Sequence, residues 1–177
     1  MVFAPASLIL TNYHLPFSST LAEAKEYMPS FEMKTQLTVS ANELAHDTLN
    51  MSGINYELGP LLKMSAPDKW QSKPITDWPT NQSLFISTIL LLGLIPIDRH
   101  YFNFKKIDSF GFNENSKSLM NTLWSHERLI KSNGTGSVIT DVIIYKSKLV
   151  ILGNLIMPIY KAIFKHRHNR LRAKYSN

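Results

Sequence analysis

The chain has 177 residues, 44% hydrophobic and 18% charged, with 19 Lys and Arg against 13 Asp and Glu. These values exclude an intrinsically disordered chain and supply enough apolar material for one domain with a sizeable core. The absence of cysteine excludes a disulfide scaffold, a thiolate metal site and a cysteine nucleophile, and it fits a reducing, cytoplasmic compartment.

The first 22 residues carry no Lys, Arg, Asp or Glu. A secretory leader needs a positively charged start, and the apolar run Ala6–Leu10 is too short for its core. With Pro5 and Pro16 opposing a helix, residues 1–30 read as a weakly ordered extension, and residues 31–175 as a single domain.

Met33, Thr35, Leu37 and Val39 alternate through Glu32–Ser40, the period of a half-buried strand. Asn42 is placed to cap a helix over Glu43–Leu49, which Gly53 ends. A second short helix is expected over Asn55–Met64, with Pro60 in its first turns and Leu58, Leu61 and Leu62 on its apolar side. Pro67, Pro74 and Pro79 forbid a central strand in Ser65–Gln82, which reads as a connection or irregular edge. Strands follow over Leu84–Leu92, Arg99–Ile107, the short Phe110–Asn115, Leu119–Lys131 and Ser137–Lys146, with Gly93 and Pro96 punctuating the first two.

From Leu149, apolar residues recur at helical spacing through Leu152, Leu155, Ile156, Ile159, Tyr160, Ile163 and Phe164. Pro158 inside that pattern predicts a kink or break over residues 154–158. Neither Leu84–Ile97 nor Leu149–Phe164 suits a membrane span. The first falls short of the ~20 residues needed, and the second is interrupted by Asn154, Pro158 and Lys161.

The order is one strand, two short helices, several antiparallel strands and a long helix. It predicts an α+β fold: one curved antiparallel sheet around a long C-terminal helix, with a cavity between them. An apolar small-molecule ligand is the expected partner of that cavity.

Asn133-Gly134 is the sequence of a type I′ hairpin turn, because both central residues need positive φ. A two-residue loop puts His126 opposite Asp141, Trp124 opposite Ile143 and Arg128 opposite Ile139. Gly136 also permits a loop longer by one or two residues. One face of the hairpin then carries Thr122, Trp124, His126, Arg128, Ile139, Asp141, Ile143 and Tyr145. Convergent polar groups in an apolar wall are what a ligand site requires. The candidate ligand-binding residues are therefore Trp124, His126, Arg128, Asp141, Ile143 and Tyr145, covered from the helix by Leu155, Ile159 and Ile163. Two other readings stand beside this one. His126, Arg128 and Asp141 can satisfy one another as a buried polar cluster. Alternatively, His126, oriented by Asp141, serves as the general acid/base of a cyclase- or aldol-type enzyme, although no partnered nucleophile can be named.

Between Lys161 and the end lie six Lys/Arg and no acid. This suits a solvated helix end, where cations complement the dipole, or a membrane-peripheral module. Nucleic acid is disfavoured because no aromatic platform accompanies the charge. His166 and His168, two apart on a helix, point away from each other and do not make a metal site. No cofactor motif is present. Arg167 has the reach to fold back onto a carboxylate of the sheet.

Five runs resemble uncharacterised members of the SRPBCC superfamily, START-like proteins related to the birch-pollen allergen fold and to polyketide cyclases. They are Gly53–Pro60 with Met64–Pro67, Leu91–Asp98, Trp124–Arg128, Thr140–Val142 and Phe164–Leu171, in the family's order over about residues 31–173. The resemblance implies a helix-grip fold whose hydrophobic cavity takes lipids, sterols, polyketides or hormones, and it implies no particular reaction. Residues 1–27 have no counterpart in it, and Met28 lies where such proteins commonly begin. Residues 68–83, which border the cavity mouth in this fold, also differ from the family.

Overall fold

The computed structural model describes residues 28–148 and 153–175. The expected extension over 1–30 therefore falls mostly outside the described residues. The first strand, β1, spans Ser30–Leu37 and buries Phe31, Thr35 and Leu37 on one face, with Met33 half-buried between them. Two short helices follow, α1 (Ala41–Thr48) and α2 (Met51–Leu58), then a three-residue strand β2 (Leu62–Met64) and a one-turn helix α3 (Asp68–Gln71). The strands β3 (Ser83–Leu91), β4 (Ile95–Asp108), β5 (Gly111–Ser118), β6 (Asn121–Ser132) and β7 (Ser137–Ser147) lead into α4 (Gly153–Tyr175). All seven strands form one antiparallel sheet in the order β1-β7-β6-β5-β4-β3-β2. The architecture is the α+β helix grip.

Local chemistry corrects several boundaries. Ser40, not Asn42, caps α1, its hydroxyl accepting from the Glu43 N–H. Gly53 does not end a helix. It lies inside α2, where a Cβ would meet the Asp47 carbonyl oxygen at 2.2 Å, so its lack of a side chain lets α2 cross α1 closely. The second helix starts at Met51, capped by Asn50 accepting from the Gly53 N–H, and ends before Pro60. Leu62–Met64, expected as helix, instead pairs with Leu91–Ile89 as β2. Pro96 sits within β4, facing Leu90 across a bulge. The helix α4 runs through Pro158 without a break, the proline lying on an exposed side. Water can take the carbonyl that its missing N–H leaves unbonded there.

The 68–83 stretch supplies two buried indoles. Trp70 and Trp78 pack edge to face, and Trp78 contacts Phe102 and Phe104 with ring centroids 6.0 and 5.6 Å apart. These rings close the β3–β4 side of the interior. On the opposite side Phe31, Ile143, Tyr145 and Phe164 form a second cluster. The helix α4 lies on the concave side of the sheet, with Phe164, Arg167, His168 and Leu171 buried.

Candidate functional site

The β6–β7 hairpin pairs Ser132 with Ser137, so its loop is the four residues Asn133–Gly136. The Asn133 side chain accepts from the Gly136 N–H at 2.9 Å, and Gly134 takes φ +89°. The longer loop moves the register by two residues. Trp124 faces Tyr145, His126 faces Ile143, and Arg128 faces Asp141. The pairing of His126 with Asp141 across the ladder is thus corrected. Because side chains alternate with period two, a shift of two leaves each on the same face. The exception is Thr122: a bulge between Asn121 and Leu123 turns it out to solvent and turns Asn121 inward.

The inward polar groups form a connected chain. His126 Nε2 lies 2.9 Å from Asp141 Oδ1, reaching diagonally across the ladder. Arg128 donates from Nε and Nη2 to the two Asp141 oxygens at 2.8 Å, and from Nη1 and the same Nη2 to Glu57 at 2.6 and 2.8 Å. Arg167 reaches Glu57 at 2.9 Å; its carboxylate partner is thus on α2 and not on the sheet. His168 bridges Asp141 Oδ2 (3.0 Å) and the Thr35 hydroxyl (2.8 Å). On the far side of His126, Glu114 hydrogen-bonds His100 and comes within 3.7 Å of His126 Nδ1. Every member of this chain is at least nine-tenths buried.

Three carboxylates thus meet two guanidiniums and three imidazoles. Burial pushes each carboxyl up, but the neighbouring guanidinium and imidazole groups outweigh it. Arg128 and Arg167 hold Glu57 below its ordinary value, and Arg128 holds Asp141 well below. His100 and His126 together bring Glu114 down to about 2. Arg128 is raised well above the usual guanidinium range: burial opposes its charge, and Asp141 and Glu57 more than offset that.

Beside this chain lies a cavity of about 120 Å³ between β2–β6 and α4. Its apolar wall includes Ile54, Leu58, Phe102, Phe104, Phe112 and Ile163. Its polar wall is His100, Glu114, His126 and Arg167, together with Asp98, Ser118, Asn121 and Tyr160. There the Asn121 amide nitrogen donates to the Tyr160 hydroxyl at 2.7 Å, and the buried Asn121 Oδ1 has no hydrogen-bond partner.

Of the candidate ligand-binding residues, Trp124, His126 and Ile163 line this cavity. Arg128 and Asp141 sit behind His126 in the ionic chain, and Ile143 and Tyr145 pack in the Phe31–Phe164 cluster. Ile159 is 58% exposed and faces away. The side chain of Leu155 lies outside the described residues. Sequence reasoning missed Glu57, His100, Glu114, Asn121 and Tyr160. Only the outward bulge at β6 places Asn121, and no local pattern signals it.

Residues 35–175 match the family model "Domain of unknown function (DUF8410)". The chain belongs to the DUF8410 family. No curated protein matches its sequence. Its fold is similar to that of a START superfamily protein from Mycobacterium smegmatis, at TM-score 0.58 and 10% identity, covering 83% of this chain and 97% of that one. It is also similar to the Zhui aromatase/cyclase from Streptomyces sp. R1128, at TM-score 0.59 and 6% identity over 84% and 93% of the two chains. A third likeness is to Ara h 8.0201, at TM-score 0.52 and 12% identity over 82% and 99%. At these identities the shared property is the fold, a START-like helix grip. Among the described residues no group of His, Asp or Glu has metal-holding geometry, and no described helix is long and apolar enough to cross a membrane.

Proposed function

We propose that this DUF8410 chain binds an apolar or amphipathic small molecule, of lipid, sterol or polyketide type, between the sheet and α4. The observation that carries the reading is the cavity itself: an aromatic and aliphatic wall with a few convergent polar groups. The unpartnered Asn121 Oδ1 favours a ligand bearing a hydroxyl, whose proton it would accept. A void of about 120 Å³ holds a single ring or a short alkyl segment. A longer ligand enters by displacing side chains of the wall. The resemblance to a START protein and to an aromatase/cyclase supports the same reading at the level of fold.

The test is mass spectrometry of extracts from denatured, freshly purified protein. An apolar compound in stoichiometric amount is expected, and it should be lost in Ile163→Trp, which fills the void. Repeated empty preparations, together with no uptake of a fluorescent apolar probe, overturn the reading.

One observation favours a second reading. His126 and His100 both face the cavity, each held by a buried carboxylate. A general acid/base of a cyclase or aldol reaction needs such a placement. On that reading His126→Asn abolishes turnover of a poly-β-ketone while leaving its binding intact.

A further inference from the structure

Three turns meet at one end of the sheet, around the cavity. The β3–β4 turn is Leu92-Gly93-Leu94, closed by the pair Leu91–Ile95. Beside it, the Leu92 N–H donates to the Leu61 carbonyl in the approach to β2. The β5–β6 turn places Leu119 and Met120 between Ser118 and Asn121, two cavity-lining residues. It is tied to β4 through the Leu119 N–H, which donates to the Asp98 carboxylate and the Arg99 carbonyl. Leu62 and Ile89, one rung or two from the β3–β4 turn, also line the cavity.

All three turns present large apolar side chains to solvent. Leu94 is 81% exposed, Leu92 60%, Ile95 56% and Leu119 52%. A leucine is a poor choice at Leu92 on backbone grounds too. Its φ is +51°, a region that favours Gly or Asn. A polar turn would remove both the strain and the exposure. The exposed charged side chains in these turns and their flanking rungs are all cations: Lys63, Arg99 and Lys117. The one carboxylate there, Asp98, is half-buried and accepts from backbone N–H groups.

We propose that this apolar rim docks the cavity mouth onto an anionic lipid bilayer, with Leu92 and Leu94 entering the acyl boundary and Lys63, Arg99 and Lys117 meeting the headgroups. The proposal rests on the binding function above and gives its ligand a route that avoids water. Charge decides between a bilayer and a second copy of this chain. A two-fold contact through the rim would set these cations against their own kind, whereas anionic headgroups complement them. The basic end of α4 is a poorer candidate, since four of its six cations are already engaged. Arg167 is bound to Glu57, Lys174 to Asp47 and Arg172 to Thr35, and Arg170 lies over the Tyr56 ring at 4.5 Å.

Vesicle co-sedimentation of the full chain tests this, with phosphatidylcholine alone and mixed with phosphatidylserine. The wild type should sediment with the mixed vesicles and be released by salt. Leu94→Glu should weaken binding about tenfold or more, and Lys63→Glu with Arg99→Glu should remove the preference for phosphatidylserine. Leu94 is too exposed to affect folding, and Leu94→Glu should take up a fluorescent apolar probe as the wild type does. A wild type that ignores both vesicles yet takes up the probe overturns docking and leaves the binding function standing. A wild-type dimer that Leu94→Glu dissociates, without vesicle binding, assigns the rim to self-association and overturns it equally. Probe uptake lost in the wild type itself would instead count against the cavity.

Discussion

The space between the sheet and α4 is built from opposite materials at its two sides. Toward β7 it is filled: Glu57, Arg128, Asp141 and His168 are fully buried, and each is hydrogen-bonded to another member of the set. Toward β4 it is aromatic and open, with Phe102, Phe104 and Phe112 around the cavity. The short helix α2 serves both sides, sending Glu57 into the ionic chain and Ile54 and Leu58 to the cavity wall. Hydrocarbon packing tolerates many arrangements, whereas bidentate ion pairs allow few. The ionic side fixes where α4 and α2 sit, and the aromatic side can then leave a void without the helix sinking into it.

Breaking the ionic side should have the largest effect. Arg128→Met takes from Asp141 and Glu57 the guanidinium they share, leaving them only His126, His168 and Arg167, and the loss expected is about 3–5 kcal/mol in urea denaturation. If the loss were near zero, the chain would not be what positions α4.

Acid should act on the same side. The folded values of Glu57, Asp141 and Glu114 lie below their unfolded ones, so the stability they contribute is fully present above the unfolded range, near pH 4. It is lost as pH falls through the folded values, about 2 for Glu114. The urea midpoint should therefore drop steeply below about pH 4, and Glu114→Gln should flatten part of that slope.

A smaller effect is expected where α2 crosses α1. Gly53→Ala forces a methyl against the Asp47 carbonyl and should cost roughly 1–3 kcal/mol, read as a fall in Tm. The smallest change in stability should come from the open side. Ile163→Trp occupies existing space and should shift stability by less than about 1.5 kcal/mol while abolishing uptake of an apolar probe. The contrast between Arg128→Met and Ile163→Trp separates a scaffold from a binding volume.

Much of this was legible in the sequence, for reasons that differ along the chain. Alternation placed β1 and β4 within a few residues, because one buried face imposes period two, and a dense Ile/Leu run placed β3. The hairpin faces survived an error in loop length because the error was even. Glu57 escaped because Pro60 looked compatible with a helix over 55–64, whereas the chain ends α2 at Leu58 and begins a strand at Leu62. His100 and Glu114 escaped because their meeting depends on β4–β5 register, set by a bulge near Phe104 and Lys106. The indoles of 68–83 are visible as residues, but nothing local says that they turn inward. The order of elements already implied one curved antiparallel sheet around the last helix, and the motif resemblance pointed to the same helix grip.

The last turn of α4 is lashed down. Tyr175 and Lys174 both donate to Asp47, whose carboxyl they hold at about 2, and the Tyr175 carbonyl accepts from the Thr38 hydroxyl. With that end acting as a fulcrum, any widening of the hollow must come from swinging the other end, where Tyr160 rests on Asn121.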